Sequence, residues 1–210
     1  WSPETLVFTP VVLAPGGITT YPGLNLWLGS DVAASGTSWT DQSGNGNHAT
    51  KNGTPTVVAN SLNGLPVMRY SGANGEYHSF SNMTNIRTVF WVVKRTGGGS
   101  NRFLLGDNNQ YHFHNTGNRF WVSNHTHNNV KSGALAVNGT LVNGLNTDTP
   151  TSMSVISLRT IGNVEASSFS NDRNIANRTW SGDLAELIIY SAALTDAEIA
   201  VVEGCLAWKY

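Results

Sequence analysis

GDLAELIIYSAALTDAEIAVVEGCLAWKY, residues 182–210, carries the outline of the fold. Asp183–Tyr190 is a short, mostly apolar run with an isoleucine pair near its end, and it reads as a strand. After a brief connection comes Thr195-Asp196-Ala197-Glu198, a capping box. The threonine hydroxyl closes one side of a helix's first turn and the glutamate carboxylate closes the other. Ile199, Val202 and Leu206 then recur at helical spacing. One strand followed by one amphipathic helix ending near Trp208 is therefore predicted, with the helix covering an edge or end of the strands. Cys205 lies among these apolar positions and reads as a buried structural thiol. It is the only cysteine, which excludes an intrachain disulfide.

Upstream, strands recur at fairly regular spacing between turn residues. They are expected at Leu24–Leu28, Pro66–Tyr70, Tyr77–Phe80, Thr88–Arg95, Arg102–Gly106, Gln110–His114, Arg119–Ser123, Gly133–Val137, Thr140–Val142 and Ser152–Leu158. Thr88–Arg95 (TVFWVVKR) is apolar on both faces and belongs in the middle of a sheet. Gln110–His114 alternates, with Tyr111 and Phe113 on one side and His112 and His114 on the other. Asn138-Gly139 between two apolar runs marks a two-residue hairpin turn, because both central residues must adopt φ > 0. Many short strands, one helix and no βαβ rhythm specify an all-β fold, an antiparallel two-sheet sandwich. Residues 1–23 hold four of the seven prolines and read as an extended arm or linker, with room for one edge strand at Leu6–Phe8. The sandwich domain then spans residues 24–210.

Composition narrows the functional classes. Of 210 residues only 12% are charged, and the formal net charge is −1. Bulk electrostatic attraction to nucleic acid or to an anionic membrane is excluded on that balance. No apolar run reaches membrane-spanning length, so no membrane insertion is expected. Asparagine occurs 24 times and lysine four times. Such a surface offers neutral hydrogen-bonding groups, which suits sugars, although turn-rich β proteins use the same residues for their turns. Five N-x-S/T sequons, at Asn52, Asn82, Asn124, Asn138 and Asn177, are near chance in so asparagine-rich a chain. A chain beginning on Trp1 is expected to be a processed or excised piece, from which any export signal could have been removed.

A second motif, WTDQSGNGNHA (Trp39–Ala49), is too rich in glycine and asparagine for helix or strand. Together with LNLWL (Leu24–Leu28), SLNGLPVMRYSG (Ser61–Gly72), VNGTLVNG (Val137–Gly144) and the C-terminal stretch, it resembles the laminin-G-like domains of the concanavalin A-like lectin/glucanase superfamily. The resemblance covers residues 24–210 and implies a jelly-roll sandwich of an exported microbial protein. The superfamily includes lectins, carbohydrate-binding and adhesin modules, glucanases and polysaccharide lyases, so the fold leaves function open. In one respect the chain departs from it: relatives often carry an acidic residue directly after the Leu-Trp-Leu strand, whereas here Gly29-Ser30 precedes Asp31.

Three constellations offer chemistry. Members of the superfamily often hold structural calcium, which wants six to eight oxygens. Asp41 and Asn45 in the glycine-rich loop, with Asp183 and Glu186 if the last strand lies beside it, are the candidate ligands. The simpler alternative is that Asp41 caps the Ser43-Gly44 turn. His112-x-His114 and His125-x-His127 would each present two imidazoles to one face of a strand, and four together would suit zinc; unliganded histidines on a polar face are the alternative. For a glycan, Tyr111, His112, His114, Arg119, Trp121 and Asn124 cluster around one predicted hairpin, with rings for stacking and amides for hydrogen bonds. Arg102 and Arg119 would meet an acidic sugar. The alternative is that Trp121 and Tyr111 are core residues.

Catalysis has less support. Glycoside hydrolysis needs two facing carboxylates, and no E-x-D-x-E cluster occurs. Asp183 and Glu186, three apart on a strand, are expected on opposite faces. Tyr111, His112, His114 and Arg119 supply the residue types of a lyase, but adjacent strand residues face opposite ways. The expected role is a non-catalytic carbohydrate-binding or adhesive module of a secreted or cell-surface protein, with a polysaccharide or cell-surface glycan as partner and a structural calcium ion. A lyase or hydrolase of the same fold, and a purely structural surface or virion module, are the alternatives.

Overall fold

The computed structural model describes residues 16–32, 37–98, 102–107, 112–173 and 175–210. The helices are α1 (Gly16–Thr19), α2 (Asn128–Lys131) and α3 (Asp196–Lys209). The strands are β1 (Leu24–Gly29), β2 (Ser38–Trp39), β3 (Ala49–Asn52), β4 (Thr56–Leu62), β5 (Leu65–Ser71), β6 (Tyr77–Arg95), β7 (Ala134–Val137), β8 (Thr140–Val142), β9 (Ser154–Phe169) and β10 (Ser181–Tyr190). Every pairing is antiparallel, along the order β4-β5-β10-β6-β9-β7-β8. β1 pairs with the far end of β10, and β2 and β3 extend from the first half of β6.

The chain is an all-β sandwich with a C-terminal helix, as its periodicity predicts. Two long strands make it so. Through Thr88–Val93, β6 runs beside the start of β9; from His78 to Ile86 it runs beside the end of β9, with β3 on its other side. Successive register shifts between Ser79 and Thr88 interrupt the second stretch and separate it from the first. Such irregularities let a strand pass from one layer to the next. The predicted strands at Tyr77–Phe80 and Thr88–Arg95 are thus two parts of one strand.

The main core lies between the layers. Trp39, Ala49, Phe80, Val164 and Phe169 from one meet Leu26, Leu28, Trp91, Leu158 and Leu187 from the other. A second apolar layer lies on the opposite face of β1, β10 and β6, where Trp27, Phe90, Val92, Ile188 and Tyr190 pack with Val202 and Leu206 of α3 and Ile18 of α1. The helix therefore covers a sheet face rather than an edge or end, because β6 and β10 are apolar on both sides. Thr195 caps α3 through the predicted capping box.

Several expectations are corrected. Arg102–Gly106 and Arg119–Ser123 are not strands; each makes only isolated bridges, Gly106 to Ser168 and Arg119 to Thr116 and Asp148. Residues 112 and 113 form a turn and 114 is irregular, so the described part of the strand expected at Gln110–His114 is not a strand. From Gly16 onward the proposed arm is packed structure: the Tyr190 hydroxyl donates to Ile18 O (2.7 Å), and a Cβ on Gly17 would lie 2.8 Å from Cys205 Sγ. The edge strand expected at Leu6–Phe8 lies outside the described residues. Asn138 (φ 49°) and Gly139 (φ 75°) make the predicted hairpin turn.

Candidate functional site

The glycine-rich loop is organised by one carboxylate. Asp41 Oδ1 accepts from Trp27 N and Ser43 N (both 2.9 Å), and Oδ2 accepts from Ser43 Oγ (2.7 Å) and Asn47 N (2.9 Å). Asn45 points its amide nitrogen at Leu24 O (2.6 Å). The loop is thereby stapled to β1. Both Asp41 oxygens are engaged by protein donors and Asn45 presents N–H rather than oxygen, so this pair does not fit a calcium ion.

Nor do the other two expected ligands join it. Asp183 accepts from Arg69 Nε (2.6 Å) and Nη2 (2.9 Å) and pairs with Lys94 Nζ (3.1 Å). Burial pushes its pKa up, but these two cations outweigh that and hold it below the usual carboxylate range. Glu186 has no exposed surface; it accepts from Trp27 Nε1 and the Tyr210 hydroxyl and pairs with Lys209 Nζ (3.0 Å). Burial raises its pKa, against the opposing effects of Lys209, Tyr210 and Trp27. The expectation that Asp183 and Glu186 face opposite ways is overturned. The register slips between Leu184 and Glu186, which adds one residue and returns Glu186 to the face of Asp183.

The proposed glycan platform is dismantled by the packing. Trp121 is 2% exposed, with its ring against Phe113 and Phe120. Without a strand at 119–123 to hold it outward, the indole joins the core. His114 is buried, its Nδ1 at 3.0 Å from Asn115 O and its ring edge-on to Phe103. His112 is half-buried and accepts from Glu165 N (2.8 Å). Arg119 and Asn124 are exposed, but Arg119 Nη1 donates to Leu145 O (3.0 Å). Arg102 Nη1 donates to Thr179 O (2.9 Å). Tyr111 lies outside the described residues.

The two H-x-H pairs do meet, but crosswise. His112 lies on His127 (ring centroids 4.5 Å apart) and His114 on His125 (5.3 Å). His127 Nδ1 accepts from Asn129 N and caps α2. Burial lowers the pKa of His112 and His114, and their histidine partners add to the effect. Among the described residues no three His, Cys, Asp or Glu side chains converge as metal ligands.

A different site emerges on the helix side of the sandwich. A cavity of about 530 Å³ opens between α3, α1, the end of β1 and the β4–β5 turn, lined among others by Trp27, Asp31, Gln42, Asn63, Trp208 and Lys209. Its size is that of a small-molecule site. Lys209 Nζ stands at the wall, 3.0 Å from both Asp31 Oδ1 and Glu186 Oε2. Gln42 Nε2 is buried and has no hydrogen-bond partner. Trp208, the last aromatic on α3 before Tyr210, is 74% exposed at the rim. Sequence patterns single out Glu186 and Asp31 but give no sign of Gln42, Lys209 or Trp208 as site residues. Gln42 sits inside the loop motif beside Asp41, and Trp208-Lys209-Tyr210 ends the helix, yet nothing local says that the two ends of the chain's core meet there.

No family model matches the chain, and no curated protein matches it. Solved structures do resemble it. Domain 4 of AbnA, an extracellular GH43 arabinanase from Geobacillus stearothermophilus solved with arabinotriose, is 16% identical, with 84% of this chain and 96% of that one covered and a TM-score of 0.50. A sialidase from Trypanosoma rangeli, solved with sialic acid, is 14% identical, with 88% of this chain and 33% of that one covered and a TM-score of 0.49. At such identities the likeness to the arabinanase domain is one of fold: a β-sandwich of the kind found in a carbohydrate-active protein.

Proposed function

We propose that this domain is a non-catalytic carbohydrate-binding module of an exported protein, and that its glycan sits in the cleft beside α3. The observation that carries the proposal is the cleft itself: an exposed indole at the rim, a buried amide donor without a partner, and Asn63 and Asp31 as further polar groups. Sugars stack their C–H faces on aromatic rings and satisfy such amides with hydroxyls. The fold-level likeness to a domain solved with arabinotriose supports the same direction. A binding rather than cleaving role is supported by the acids. Hydrolysis needs two carboxylates reaching one bond, whereas Glu186 is fully buried and shares Lys209 with Asp31.

A glycan array followed by calorimetry tests the proposal. At least one oligosaccharide should bind, and Trp208→Ala should weaken it roughly tenfold or more, the scale of a lost aromatic anchor, while thermal unfolding stays unchanged because the ring is exposed. Absence of any bound glycan, or full affinity in Trp208→Ala, would overturn it.

A further inference from the structure

Gly29 ends β1, next to Asp31 and Gln42 of the cleft wall. A Cβ built there would lie 2.6 Å from Asp31 Oδ1, 2.6 Å from Gln42 Nε2 and 3.3 Å from Glu186 Oε1. Three polar atoms therefore converge over a residue without a side chain. They differ in kind: the amide nitrogen can only donate, and the carboxylates can only accept while ionised. The Gln42 donor is buried and unpartnered. A single ammonium, Lys209, serves both acids, which leaves the cluster with one negative charge in excess.

From this convergence we infer that the cleft selects uncharged sugars and rejects uronate or sulfate groups, with Asp31 and Gln42 gripping one hydroxyl. The inference rests on the cleft being the glycan site. A hydroxyl is the group that satisfies both sides at once, accepting from Gln42 and donating to Asp31. An acid group can accept from Gln42 but has no proton for Asp31, and its charge meets an already negative wall. The arginines that would greet an acidic glycan, Arg102 and Arg119, are bonded to Thr179 O and Leu145 O and do not line the cleft. Asp31, which follows β1 after Gly29-Ser30, thus becomes a specificity residue.

The test is calorimetry on the full chain with arabinotetraose, cellotetraose and galactotetraose against tetragalacturonate. At least one neutral probe should bind ten times or more tighter than the uronate. Gln42→Leu should weaken the neutral probe about tenfold, and Asp31→Asn should narrow the gap to about threefold by admitting the uronate. Equal or tighter uronate binding, or an unchanged gap in Asp31→Asn, would overturn the charge selection while leaving carbohydrate binding in place. Failure of every glycan to bind would remove both, and neutral binding indifferent to Trp208→Ala would move the site elsewhere.

Discussion

His78 has no exposed surface, and its ring is edge-on to Trp39 at 5.2 Å. The Tyr70 hydroxyl lies 2.6 Å from Nδ1, and burial keeps the imidazole neutral. Burial first, and the charge of Lys51 second, lower the pKa to about 4. In the unfolded chain the value is near 6.5. Above that the group is neutral in both states and its contribution is intact; as pH falls from about 6.5 to 4 only the unfolded chain takes up the proton. Stability should drop by about 3 kcal/mol across that window. His112 and His114, also lowered, act in the same direction, whereas Glu186, raised by burial, acts in the opposite one in the carboxylate range. Urea unfolding at pH 7 and pH 4.5 measures the drop, and His78→Gln, which keeps a hydrogen-bonding group for Tyr70 but does not titrate, should remove most of it. An equal pH dependence in that variant would show the loss to lie elsewhere. His78 was invisible as a special residue in the sequence, since TyrHisSerPhe reads as ordinary half-buried alternation; only the packing of Trp39 and Tyr70 around it makes it so.

The elements differ in how legible they were. β1, the β7–β8 hairpin and α3 follow from local chemistry: alternation, an Asn-Gly turn and a capping box. β4 was missed because it faces outward along most of its length and carries Asn60 at φ 52° and a register shift, so the apolar signal of a strand is thin. The loop after β2 shows a motif whose shape was readable and whose purpose was not. Asp41 there holds four donors, one of them the buried Trp27 amide. Asp41→Ala should cost about 2–4 kcal/mol, since each buried donor left unpaired costs about 1–3 kcal/mol. In the unaltered protein, calcium added after chelation should leave the melting temperature where it was. A calcium-dependent rise in melting temperature would mean that the loop opens its carboxylate to a metal after all.

At the scale of the molecule, the two apolar layers share their strands: β10, β6 and β9 give alternate residues to the inner core and to the layer beneath α3. Loss of either exposes the other, so unfolding should be a single event. Tryptophan fluorescence and far-ultraviolet circular dichroism should give coincident urea transitions, whereas an earlier transition in one of them would reveal that α3 and its layer detach first. What the sequence determined alone was the class of structure, an antiparallel sandwich closed by one capped helix, because side-chain periodicity, turn residues and caps act over a few neighbours. Tertiary structure decided which aromatic rings are buried and which are offered: Trp121 goes to the core and Trp208 to solvent, although each is one tryptophan in an apolar setting. It also decided that Trp27, Asp31, Gln42, Asn63 and Lys209 share a cleft, and that an extra residue in β10 turns Glu186 toward them. These outcomes depend on contacts between distant segments, 178 residues apart for Asp31 and Lys209, whose energy no local pattern records.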